Sequence, residues 1–177
     1  MGPTATRTLR GALAGTVAAG VWAAQQPLDK RVFASGYDDV ELLGKIVTRS
    51  RGWVPAGLAM HLGNGALFGS AYANVAPLMP IPPVLRGPSL ALAEHLGLWP
   101  LVRVTDHLHP ARRDLPKLTG NRNAFWQAAW RHLLFGFVLG EVERRLNEVP
   151  EDEPADFSVV VSTNGHGSLD DAMLAQP

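Results

Sequence analysis

The sequence predicts an all-α protein, an integral membrane bundle of about four transmembrane helices with a short interfacial helix. Three observations support this fold class. Charged residues make up only 18% of the 177 residues, whereas soluble domains usually contain roughly 25%. Four long stretches contain almost no charge, and the five tryptophans lie near the ends of those stretches. The mean hydropathy of +0.03 is modest because the connecting segments are polar.

The composition also excludes several classes of function. Sixteen basic and sixteen acidic residues cancel, so no overall field attracts nucleic acid, and we predict no nucleic-acid partner. The chain has no cysteine, which excludes disulfides, thiolate metal sites and a cysteine nucleophile. No phosphate-binding loop, dinucleotide fingerprint or hydrolase motif is present. We therefore predict no catalytic residue and no cofactor.

The four uncharged stretches predict the four main helices. Each contains at most one Asp, Glu, Lys or Arg over a length close to the roughly 20 residues that cross a bilayer. The first could instead be a signal peptide, because Arg7 and Arg10 precede a short apolar run. The three later stretches favour a retained helix. The predicted helices span residues 9–27, 53–76, 87–105 and 123–145.

A short amphipathic helix is predicted at 38–48, between the first two spans. Asp38 and Asp39 suit a helix start, and Lys45 suits a helix end. Its apolar stripe favours a position along the membrane surface.

Tryptophans and basic residues predict the topology. In an up-and-down bundle all five tryptophans fall toward one face, as in an interfacial aromatic belt. The connections on that face, 29–51 and 103–122, also hold most of the basic residues, so the positive-inside rule makes it cytoplasmic. We therefore expect a multi-pass protein of a bacterial inner membrane, with the lipid bilayer as its surroundings. The basic residues of this face are Lys30, Arg31, Lys45, Arg49, Arg51, Arg103, Arg112, Arg113, Lys117 and Arg122.

Glycine spacing predicts close helix packing. Small residues four apart let helix backbones approach each other in lipid. Such faces could also bind other membrane subunits, which makes a structural or accessory role the preferred function. The glycine pairs are Gly11 with Gly15, Gly65 with Gly69, and Gly136 with Gly140.

The transmembrane domain is predicted to cover residues 1–146, followed by an acidic, largely disordered tail at 147–177. No basic residue follows Arg145, while acidic residues accumulate from Glu148 onward. Two segments, GALAGTVAAGVW near the start and RHLLFGFVLGEVERRLNEVPEDEP near the end, resemble the YagU-like family of small bacterial inner-membrane proteins. The resemblance implies a membrane protein with no assigned reaction, and it carries over no catalytic residues.

Polar residues within the predicted spans are the candidate functional residues, since ionisable groups in a membrane suggest function. They are His61, Glu94, His95, Arg131 and His132. We expect Glu94 and Arg131 to pair and hold two helices in register. A transporter-like or proton-handling role through the same residues is the alternative.

The histidines also allow two further predictions, a haem site and a metal site. His61 with His95 or His132 could ligate a haem between two helices, which would make the chain a membrane redox subunit. Asp106, His107 and His109 could hold a metal at the membrane surface, although a closed zinc site needs a fourth ligand. A water-soluble helical protein is the alternative to the membrane prediction as a whole.

Overall fold

The computed structural model describes residues 5–147, and this part of the chain is helical with no β-strand. The prediction of an all-α fold is confirmed. Short 3₁₀ turns at Ala76–Leu78 and Trp99–Leu101 follow the third and fourth helices. The six helices are α1 (Ala5–Val32), α2 (Asp39–Val47), α3 (Trp53–Val75), α4 (Pro83–Leu98), α5 (Val102–Leu108) and α6 (Arg122–Asn147).

Two helices differ from their predicted bounds. α1 continues through Pro27 to Val32, five residues beyond the predicted end at 27. The predicted helix 87–105 is interrupted by the turn around Pro100, because proline lacks the N–H that would continue the helical hydrogen bonds. The short helix predicted at 38–48 is present as α2, and Asp38 caps it by accepting a hydrogen bond from the Glu41 N–H at 2.9 Å.

The helices pack around α1 and α6. α3 and α6 both lie against α1, α4 lies against α6, and α2 lies against α3. α3 and α4 therefore pack mainly on different neighbours, and a cleft remains between them.

The predicted glycine contacts are present inside this bundle. A Cβ atom added to Gly15 would overlap the Gly65 carbonyl oxygen, and one added to Gly11 would overlap that of Gly69. Gly136 meets Gly87 of α4 in the same way. These small-residue faces are thus occupied by helices of the same chain.

The segments 29–51 and 103–122, which were predicted to share one face, contact each other at one end of the bundle. His109 Nε2 lies 2.9 Å from the Leu42 carbonyl oxygen, and Arg49 forms a 2.8 Å ion pair with Asp114. At the opposite end, Arg7 of α1 donates to the Ala73 carbonyl at 2.7 Å.

Among residues 5–147, no helix combines the length and the hydropathy expected of a membrane span. The predicted tail at 147–177 lies outside the described residues, apart from Asn147, which ends α6.

Candidate functional site

The cleft between α3 and α4 is a cavity of about 250 Å³. α1 and α6 form its back wall, because α3 packs on α1 and α4 packs on α6. Leu42 and Leu43 of α2 and Val102 of α5 line the end nearest the basic connections. Residues of all six helices thus contribute to the cavity wall.

Four of the five polar residues singled out from the sequence line this cleft: His61, Glu94, His95 and His132. His61 and His95 are only 7% and 2% exposed. The ring centroids of His95 and His132 are 4.9 Å apart. His95 Nε2 is buried and has no hydrogen-bond partner among the described residues. A buried ring nitrogen of this kind can accept a hydrogen bond from a molecule in the cleft.

His132 of α6 and Glu94 of α4 lie close together on adjoining walls of the cleft without a hydrogen bond between them. The Nδ1 of His132 lies 2.7 Å from the Ala128 carbonyl oxygen, which can only accept, so Nδ1 carries a hydrogen. The other nitrogen, Nε2, is then an acceptor in the neutral ring, and it lies 4.0 Å from Glu94 Oε2. Atoms at this separation are too far apart to share a hydrogen bond directly, but a donor group placed between them can bond to both.

The fifth residue, Arg131, lies behind the cleft in a buried ion cluster. Its Nε and Nη2 donate to the two carboxylate oxygens of Asp29, both at 2.6 Å, and its Nη1 donates to Asp39 Oδ2 at 2.6 Å. Arg131 is completely buried, and Asp29 is 2% exposed. A bidentate pair of this kind is the strongest ionic geometry available to arginine. We call Arg131, Asp29 and Asp39 the Arg131 cluster.

The expected pairing of Glu94 with Arg131 is therefore wrong. Both carboxylate partners of Arg131, Asp29 and Asp39, lie outside the predicted spans. Asp29 reaches Arg131 because α1 extends beyond its predicted end. Glu94 instead lies beside His132.

Asp39 links the Arg131 cluster to the cleft. It accepts a 3.0 Å hydrogen bond from Trp22 Nε1 and another from the Tyr37 hydroxyl, and it lines the cavity itself. Sequence reasoning used Asp39 only as a helix start and did not consider Asp29. The signal that could have found Asp29 is its spacing with Trp22 and Gln26, which places all three on one helix face.

Trp22 differs from the expected interfacial belt. It is 7% exposed, and its ring packs edge-on against His61 at 5.2 Å and His132 at 4.8 Å. The Trp22 ring therefore lies next to two of the histidines considered as haem ligands. Trp126 and Trp130 are exposed, at 58% and 46%, as a belt requires.

The residues of the predicted metal site serve the local structure instead. Asp106 accepts hydrogen bonds from the backbone N–H groups of Leu118 and Thr119, at 3.0 and 2.8 Å. His109 is buried, and its Nδ1 accepts from the Ala111 N–H at 3.0 Å. His107 is exposed. In the part of the chain that the structure describes, no three His, Asp or Glu residues are grouped as metal ligands, so this prediction is not supported.

No family model, curated protein or solved structure matches this chain, so its resemblance to the YagU-like family stays a prediction.

Proposed function

We propose that the chain is a membrane-embedded helical bundle whose cleft takes up and releases protons, as in a proton-handling or transporter-like protein. The observation that carries the proposal is the facing arrangement of Glu94, His132 and His95 in a cavity within the bundle.

The distribution of side-chain size supports the membrane location. Much of the interior is alanine and glycine, and three of its four largest fully buried side chains are Arg131, Gln127 and Asp29. Many large apolar side chains lie outside, whereas the helices of a soluble bundle turn their apolar stripes toward the core. They form stripes along α1 at Leu9, Leu13, Val17 and Val21, and along α6 at Trp126, Trp130, Leu133 and Phe137.

Helix-averaged hydropathy underestimates such a surface, because it counts interior polar residues together with those that face outward. In α6, Gln127 and Arg131 lower the average although neither is exposed. The Asp29 carboxylate compensates the Arg131 charge directly. Polar residues inside a membrane bundle are expected to pair in this way.

The cleft supports proton handling because Glu94 Oε2 and His132 Nε2, which are both acceptors, have no donor between them. A proton placed between Glu94 and His132 would convert two facing acceptors into a donor and an acceptor. His95, whose ring is next to that of His132, offers another acceptor nearby. The structural role first expected from the small-residue faces draws less support, since those faces are occupied within the bundle.

Two measurements test this proposal. Membranes that contain the expressed chain should keep it through an alkaline carbonate wash and release it only with detergent. Proteoliposomes containing the full chain and an internal pH dye should acidify faster than empty liposomes after an external acid pulse, and Glu94→Gln should slow that change. Release by carbonate would contradict the membrane location, and equal acidification rates would contradict proton handling.

A further inference from the structure

We propose that the cleft between α3 and α4 binds a small organic cation, a protonated amine attached to an apolar body. The inference rests on the proposed function in treating the cleft as a binding chamber. It goes further by naming the ligand class.

The charges around the cleft favour a cation. Its ionisable lining consists of Tyr37 and Asp39 at one end, His61 on α3, Glu94 and His95 on α4, and His132 on α6. Asp29 and Arg131 lie behind Asp39. The carboxylates of Asp29, Asp39 and Glu94 are thus balanced by the guanidinium of Arg131 alone. When the histidines are neutral, the region carries an excess of two negative charges. Such an excess attracts positive charge, and the attraction is stronger in a partly buried cleft than in bulk water.

The hydrogen-bonding groups favour a donor. Glu94 Oε2 and His132 Nε2 are 4.0 Å apart, and with Nδ1 of His132 already donating to Ala128, both atoms are acceptors. His95, only 2% exposed, adds a ring nitrogen without a partner among residues 5–147. An ammonium group has several N–H donors and no acceptor, so it complements Glu94 Oε2 and His132 Nε2, and it also suits His95 in the tautomer whose Nε2 accepts.

The remaining wall suits an apolar or aromatic body. Phe68, Phe135 and Trp99 line the cleft together with Leu98 and Leu43. Aromatic faces attract ammonium groups through their ring quadrupoles. A volume of about 250 Å³ fits a small amine.

Calorimetric titration of the full chain in bilayer discs with three probes of similar shape tests the proposal. The probes are benzylamine, benzyl alcohol and benzoate, which are cationic, neutral and anionic at neutral pH. Benzylamine should bind, and benzyl alcohol and benzoate should bind at least about tenfold more weakly. Equal affinity for benzyl alcohol, preference for benzoate, or no binding of benzylamine would overturn the proposal.

Variants locate the binding. Glu94→Gln should weaken benzylamine binding at least about tenfold, since it removes the charge facing the amine. His95→Phe keeps a ring in place, removes the acceptor and should also weaken binding. Glu141→Gln is the matched control, because Glu141 pairs with Arg144 and Arg145 on the surface and should leave affinity unchanged. Thermal unfolding of each variant checks its folding. Unchanged affinity in both cleft variants would overturn the assignment.

The same titration separates this inference from the proposed function. If the chain stays soluble without detergent and still binds benzylamine in buffer, the ligand class stands and the membrane location fails. If the chain resists carbonate and passes the proton test but benzylamine does not bind, the ligand class fails alone.

Discussion

Arg131 is the side chain whose removal should destabilise the protein most. It is fully buried between Asp29 and Asp39, so Arg131→Gln leaves two carboxylates without their cation. Breaking a buried pair in this way typically lowers the free energy of unfolding by about 3–5 kcal/mol. Denaturant titration in mixed micelles measures this loss. The exposed Arg103→Gln is the control and should change stability by less than about 0.5 kcal/mol.

A double-mutant cycle identifies the partner of Arg131. Asp29→Asn and Arg131→Gln should destabilise less together than the sum of their separate effects, with a coupling of about 1–3 kcal/mol. Glu94→Gln and Arg131→Gln should be additive within about 0.5 kcal/mol, because the two side chains do not pair. Coupling of Arg131 to Glu94 in place of Asp29 would contradict the ion cluster.

The sequence could predict that Arg131 needs a buried carboxylate, but it could not identify which one. Glu94 was the only acid within the four charge-poor stretches, and the first helix was predicted to end at residue 27, before Asp29. α1 continues past Pro27, and Asp29 in its last turn accepts hydrogen bonds from Arg131 and Gln127. A long-range ion pair thus determines a local boundary that helix propensity alone places too early.

At the level of elements, the contact between α1 and α3 depends on glycine. Gly15→Ala should lower the free energy of unfolding by about 1–3 kcal/mol, because the new methyl would overlap the Gly65 carbonyl and push the helices apart. Gly20→Ala is a matched control in the same helix, since a Cβ there has nothing within 4 Å. It should stabilise the helix by about 0.5–1 kcal/mol. Losses of equal size at both positions would contradict the close approach.

Asp106 should make the connection after α5 sensitive to acid. Burial acts to raise its pKa, but hydrogen bonds from Thr119 and Leu118 outweigh burial and hold the pKa below its ordinary value. Its stabilising contribution is therefore complete above the unfolded pKa of about 3.9 and is lost as the pH falls through the lower folded pKa. Amide exchange at Leu118 and Thr119, corrected for its intrinsic pH dependence, should accelerate only below about pH 4.

Asp106→Asn is the control for this behaviour. It should raise exchange at both amides at neutral pH and remove the acid-dependent step. A step that persists in the variant would assign the acid sensitivity to another group.

Periodic patterns in the sequence predicted the helices better than they predicted the contacts between helices. Charge-poor stretches identified α1, α3 and α6, and glycine spacing identified the residues at which helices approach closely, since both patterns are local in sequence. The contact between Gly44 of α2 and Gly57 of α3 was not predicted, because nothing in a nine-residue helix shows which neighbour it meets. The cleft was not predicted either, since it depends on α3 and α4 packing on different partners.

For the whole molecule, the two ends of the bundle should lie on opposite sides of the proposed membrane. Single cysteines can report this, because the natural chain has none. Gly36 and Lys117 lie in exposed connections at the end near α2 and α5, and Leu78 is 79% exposed at the other end. With basic connections on the cytoplasmic side, Gly36→Cys and Lys117→Cys should react with an impermeant maleimide in inside-out vesicles. Leu78→Cys should react there only after detergent is added.

Each labelling pattern has a distinct physical meaning. Labelling of Leu78→Cys alone in inside-out vesicles would reverse the orientation and keep the spanning bundle, so the positive-inside assignment would fail by itself. Labelling of all three positions without detergent would mean that both ends of the bundle meet the same aqueous compartment. The apolar stripes of α1 and α6 would then cover a protein partner or lie along the membrane surface, and the polar cleft would open to water instead of lying within a bilayer.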